Sequence, residues 1–150
     1  MNKQLVRVVA ACMGLAGWAM PAAAGPFSAI RPVIAIVAGE LFVGEAEGHL
    51  SGAGTLAIHS QKDPALKCVG QFTSSAELGG SGAIQCSDGA IATFRFKRAG
   101  IFRGHGSGSF PRGPMSFAYG YSAEEAAPYL KLPESKKLRL DGAVLTLVDL

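Results

Sequence analysis

From residue 41 to residue 120 the chain alternates with period two, and its glycines fall on the same side of the alternation as its aromatic rings. That side reads Phe42, Gly44, Ala46, Gly48; then Gly54, Leu56, Ile58; then Leu66, Cys68, Gly70, Phe72. It continues through Gly82, Ile84, Cys86; Ala90, Ala92, Phe94, Phe96; Gly104, Gly106, Gly108, Phe110; and Met115, Phe117, Tyr119. The other side carries Glu45, Glu47, His49, Gln71, Gln85, Thr93, Arg95, Lys97, His105 and Ser107. Period two is the signature of a strand. One small or apolar face against one polar face defines a half-buried antiparallel sheet. The expected fold is all-β: a single antiparallel β-meander, rolled or closed into a small barrel, with one short helix before a C-terminal hairpin.

The helix follows from Ser122-x-x-Glu125, a capping box, and should run to about Leu130, shortened by Pro128. Residues 137–140 and 143–148 read as the terminal hairpin, turning at Asp141-Gly142. The last strand is apolar enough to need cover, and residues 33–37 are its expected partner, which would remove exposed edges.

Pairing register is constrained because a one-residue slip would turn every side chain to the wrong face. A hairpin centred near Glu77 sets Phe72 against Gly82, Gly70 against Ile84 and Cys68 against Cys86. A three-residue loop, Ser87-Asp88-Gly89, with Gly89 left-handed, then sets Phe94 against Gly82 as well. Continuing, Phe94 falls opposite Gly106, Phe96 opposite Gly104, Phe117 opposite Gly108 and Tyr119 opposite Gly106. Rings land on glycines throughout, which covers bare backbone with an aromatic neighbour.

The N-terminus has its own composition. Lys3 and Arg7 precede an apolar stretch, residues 8–20, then Pro21 and Ala22-Ala23-Ala24. That is the layout of a secretory signal peptide, residues 1–24, leaving a single β-rich domain, residues 25–150. Cleavage removes two of the 14 basic residues, leaving 12 against 11 acidic ones, a net charge near +1. It also removes Trp18 and Cys12. The remaining pair, Cys68 and Cys86, is expected to form a disulfide in an oxidising compartment, so the protein should be periplasmic or secreted. No later run reaches the ~18 apolar residues of a membrane helix, so no transmembrane segment is expected in the mature chain. With 49% hydrophobic and 17% charged residues, solvated disorder is excluded.

Cys68-x-Gly70-x-Phe72, then Gly79-Gly80-x-Gly82 and Asp88-Gly89, is echoed by Phe94-x-Phe96, Gly104-x-Gly106-x-Gly108 and Gly113. Gly82 and Gly106, and Gly89 and Gly113, are each 24 residues apart. Over about residues 44–120 this resembles the MORN repeat, and the resemblance implies a scaffold or binding surface. The chain is also similar to small exported bacterial β proteins with a Cys-Ser-Asp-Gly turn after a Gly-x-Gly strand. Residues 86–96 resemble part of the small lysozyme-inhibitor barrels.

Catalytic patterns are sparse. Ser107 has His105 and Ser109 two residues either side, so the Gly-x-Ser-x-Gly elbow is not met, and glycines bending a strand account for the stretch. Glu45, Glu47 and His49 share a strand face, as a solvated sheet would also arrange them. No metal site, cofactor or catalytic set is expected. Charge is uneven, however: residues 89–123 hold no acid but contain Arg95, Lys97, Arg98, Arg103 and Arg112. Arg98 and Arg103 flank a loop with Ile101 and Phe102, a surface suited to an anionic envelope component or a protein partner. Nucleic acid does not suit an exported chain with only this patch.

The leading expectation is thus a non-enzymatic exported envelope protein, a β scaffold binding a protein, polymer or lipid. The alternative is a periplasmic inhibitor or small-ligand-binding barrel; a hydrolase ranks below both. A wide apolar cavity favours ligand carriage and a filled interior favours scaffolding.

Overall fold

The computed structural model describes residues 28–75 and 78–150. The segment expected to be a signal peptide, its expected cleavage site and Glu77 lie outside the described residues. The chain builds β1 (Ser28–Val37), β2 (Glu40–His49), β3 (Ala53–Ser60), β4 (Lys67–Ser75), β5 (Gly79–Cys86), β6 (Ile91–Arg98), β7 (Gly104–Phe110) and β8 (Gly113–Tyr119). Each strand pairs antiparallel with the next, and β1 pairs with β8, so the meander closes into a barrel. After β8 come a short helix α1 (Ala123–Ala126), a 3-10 turn (Ala127–Tyr129) and a separate hairpin of β9 (Lys136–Asp141) and β10 (Val144–Asp149). The all-β expectation is borne out, and the rolled sheet is a closed barrel.

The inner face is the glycine and aromatic face. Buried Val33, Val37, Phe42, Ile58, Ile84, Phe94, Phe96, Phe110, Met115 and Phe117 form the inner cluster together with Cys68 and Cys86. Cys68 pairs with Cys86 across β4 and β5, and the two are joined in a disulfide. Phe94 faces Gly82 as the alternation requires. Gly89 has φ +88, and the Cys86 and Ala90 main chains close the Ser87-Asp88-Gly89 loop with a hydrogen bond of 2.8 Å.

Beyond β6 the registers differ from expectation by two residues. Phe96 faces Gly106 and Phe94 faces Gly108. Phe117 faces Gly106 and Tyr119 faces Gly104. The loops set the difference. The Ala99 N–H donates to the Arg103 carbonyl, closing the loop over residues 100–102, and Phe110 pairs with Gly113 across the two residues Pro111-Arg112. A two-residue shift keeps every side chain on its face, so the rings still lie on glycines.

The terminal strand also departs from expectation. β10 pairs only with β9, while β1 pairs with β2 and β8. The reason is that β1 is apolar on both faces. Val33, Ala35 and Val37 enter the barrel, while Ile34 and Ile36 face outward with Leu41 and Ala118. Tyr121, Ala126, Leu130 and Leu145 cover that outer patch, so the last hairpin lies on the barrel wall rather than extending its edge. The hairpin turn falls at residues 142–143, since Asp141 still pairs with Val144. Ser122 and Glu125 form the expected capping box.

Candidate functional site

Strand direction gives the barrel two unlike ends. At one end the inner positions carry Phe42, the Cys68–Cys86 bridge, Ala92, Phe110 and Met115, and side chains close the floor. At the other they carry Ala29, Ala46, Gly48, Gly54, Ser74 and Gly80, which fill little volume. The large rings do not fill the axis either, because they lie flat along one wall. A Cβ on Gly82 would sit 2.5 Å from Phe94 Cζ, one on Gly106 2.6 Å from Phe117 Cζ, and one on Gly80 2.9 Å from Phe96 Cζ. Edge-to-face pairs link the rings: Phe72–Phe96 at 5.6 Å, Phe94–Phe117 at 5.4 Å and Phe96–Tyr119 at 5.9 Å. Such pairs contribute about 0.5–1.5 kcal/mol each beyond their burial and fix the wall.

The result is a cavity of about 980 Å³, open at the mouth. Val33, Leu56, Ile58, Phe72, Ile84, Phe94, Phe96, Met115 and Phe117 line its walls. Its rim holds His49, the loop 49–52, Arg31, Arg98, Ile101, Phe102 and Tyr119. Ligand sites commonly span ~300–1,000 Å³, and an eight-stranded barrel is just wide enough to hold one small ligand.

The rim is cationic. Arg31 takes an inward position in register with Val33 and Ala35; one of its N–H groups donates to the Ile30 carbonyl at 2.9 Å, and its guanidinium lies 4.3 Å from the Phe102 ring centre. Arg98 ends β6 on the inward face and donates to the Ile101 carbonyl at 3.1 Å. The Tyr119 hydroxyl lies over Gly104, the cross-strand partner of Arg98. Burial raises the Tyr119 phenol above its ordinary value, more than the Arg98 guanidinium pulls it down, so the ring keeps its proton at neutral pH. Among the described residues the ion pairs are Arg112–Asp88, Lys136–Asp149 and Arg139–Asp141, so neither Arg31 nor Arg98 has a carboxylate partner there.

The basic residues singled out from the sequence divide into four settings. Arg95 and Lys97 are exposed on the outer wall. Arg98 and Phe102 stand at the mouth, with Phe102 49% and Ile101 75% exposed. Arg103 reaches outward, its guanidinium 5.6 Å from the Tyr121 ring centre. Arg112 sits at the closed end, paired with Asp88 at 3.0 Å, so it does not join the patch around Arg98. The histidines are likewise separated. His49 is at the mouth, His59 is toward the closed end, and His105 stacks on Tyr129 at 4.1 Å. Among the described residues no three His, Cys, Asp or Glu side chains gather as a metal site.

Sequence reasoning missed Arg31. The signal was present in its odd-numbered spacing with Val33, Ala35 and Val37. It was hidden because only residues 33–37 read as a strand, with Pro32 interrupting the run ahead of them. Fold and site together define an eight-stranded antiparallel barrel with a ligand-sized apolar chamber and a basic rim. Comparison with family models, with curated proteins and with solved structures finds no match.

Proposed function

We propose that this chain is a binding barrel that carries or sequesters a small, predominantly apolar ligand. The observation behind the reading is the open 980 Å³ chamber. A barrel serving only as a scaffold has no use for a hollow interior, since filling it would add packing contacts and stability. The chamber therefore favours ligand carriage over the scaffold reading. No catalytic role is assigned to any residue.

An exported setting forms part of the same proposal. The Cys68–Cys86 disulfide suits an oxidising compartment. No helix among the described residues is long and apolar enough to cross a membrane.

The test uses N-phenyl-1-naphthylamine, a neutral probe that fluoresces in apolar surroundings. Wild-type protein should bind it saturably at one site. The cavity-blocking substitutions Ala46→Trp and Leu56→Trp should abolish that signal while near-ultraviolet circular dichroism shows an intact fold. Absence of saturable binding, or unchanged binding in folded blocked variants, would overturn the reading.

A further inference from the structure

The geometry points to the class of ligand: a single-chain amphiphile with an anionic carboxylate head held at the mouth by Arg31, Arg98 and Tyr119, its tail lying in the chamber. This rests on the binding-barrel reading above and adds the chemistry of the head and its orientation.

The rim places these three groups together by register. Arg98 pairs with Gly104, Gly104 with Tyr119, and Tyr119 with Val33, so these residues form one row around the barrel. Arg31 lies two residues nearer the mouth than Val33 on the same inward face. Gly104 makes the meeting possible: a Cβ there would lie 2.5 Å from the Tyr119 hydroxyl oxygen. With no side chain there, the phenol lies across the strand position opposite Arg98.

Two like charges on one rim repel each other unless an anionic group answers them. Among the described residues no carboxylate does. Each guanidinium carries five N–H donors, and the contacts above occupy few of them. The planar fork of arginine matches a carboxylate, and charge-assisted bonds of this kind are about twice as strong as neutral ones. The protonated Tyr119 supplies a further donor. A neutral apolar ligand offers the remaining donors no acceptor.

The depth fits a tail. From Arg31 to Ala35 the cavity follows β1 for four residues. That is ~13 Å along the strand, or ~10 Å along the axis at a tilt of 35–45°. An extended alkyl chain built from bonds of ~1.5 Å advances ~1.25 Å per carbon, so about eight carbons reach the bottom of the chamber.

The experiment measures displacement of N-phenyl-1-naphthylamine by decanoate, 1-decanol and decyltrimethylammonium, which share one tail and differ in head. Decanoate should bind at least about tenfold more tightly than decanol, ~1.4 kcal/mol, and the cationic head should bind more weakly than either. In Arg31→Met/Arg98→Met the preference for decanoate should collapse to within about twofold, chiefly through weaker decanoate binding. Decanol binding as tightly as decanoate, or a double variant that keeps the preference, would overturn the inference while leaving the binding barrel standing. If none of the three competes and the naphthylamine itself does not bind, the binding-barrel reading fails instead.

Discussion

Removing the Cys68–Cys86 bridge probes both the register and the closed floor of the barrel. The two cysteines are 18 residues apart, and Cys68 is 0% exposed. In the chain-entropy account, opening a loop of that size releases about 3 kcal/mol of unfolded-state constraint. The double variant Cys68→Ala/Cys86→Ala should therefore lose about 3 kcal/mol, and somewhat more where the missing sulfurs leave unfilled space beside Ile58 and Ile84. At ~2.1 cal/mol/K per residue, a domain of about 120 residues unfolds with ~0.25 kcal/mol/K, so the Tm should fall by about 12 °C. Urea unfolding of both forms checks the origin of the loss. The variant should show a larger m-value, because its unfolded chain is no longer cross-linked and exposes more surface. Burial should also protect the bridge, so that native protein resists reductant until it opens globally. A loss below about 1 kcal/mol with an unchanged m-value would refute the loop argument. Two titratable thiols in native protein would refute the pairing itself.

Two further perturbations test the wall and the cap. Gly106→Ala places a methyl 2.6 Å from Phe117 Cζ with the Arg95 carbonyl close by, so the variant should lose about 1–3 kcal/mol, read as a lowered urea midpoint. The Glu125 carboxyl is held below its ordinary value by the Ser122 N–H and hydroxyl, so its stabilising effect is present above the carboxylate range and fades as pH falls through the lowered value. The Tm gap between wild type and Glu125→Gln should accordingly be largest near pH 7 and close toward pH 3; a gap independent of pH would refute the charged capping box.

What was legible in the sequence, and what was not, follows from the range of each interaction. The inward face of β2 to β8, the Gly89 turn, the disulfide and the capping box rest on local periodicity or short spacing, and all appear in the structure. Gly82 on β5 and Gly106 on β7 both lie beneath rings of a neighbouring strand. Register beyond β6 was not legible, because it depends on which residues enter each loop. Closure between β1 and β8 was missed because the apolar last strand looked like the natural partner for residues 33–37. An apolar strand can satisfy its need for cover by lying flat on a wall, and β10 does so through Leu145.

The chamber was the least legible feature, since emptiness arises from relations between strands. Each glycine in the sequence reads as a bare backbone position awaiting a ring. In three dimensions the rings of β4, β6 and β8 lean onto glycines of neighbouring strands and so leave the axis open. The same substitution pattern that lets the aromatics lie flat also clears the mouth, where Gly104 admits the Tyr119 hydroxyl beside Arg98. Cavity and basic rim thus share one origin. Glycine opposite an aromatic thins the wall, and glycine at the rim lets a phenol lie across the strand position opposite Arg98. Arg31 belongs to this arrangement only because β1 closes the barrel against β8. Had β1 paired with β10 instead, Arg31 would not share a rim with Arg98, and the two charges that select an anionic head would lie apart.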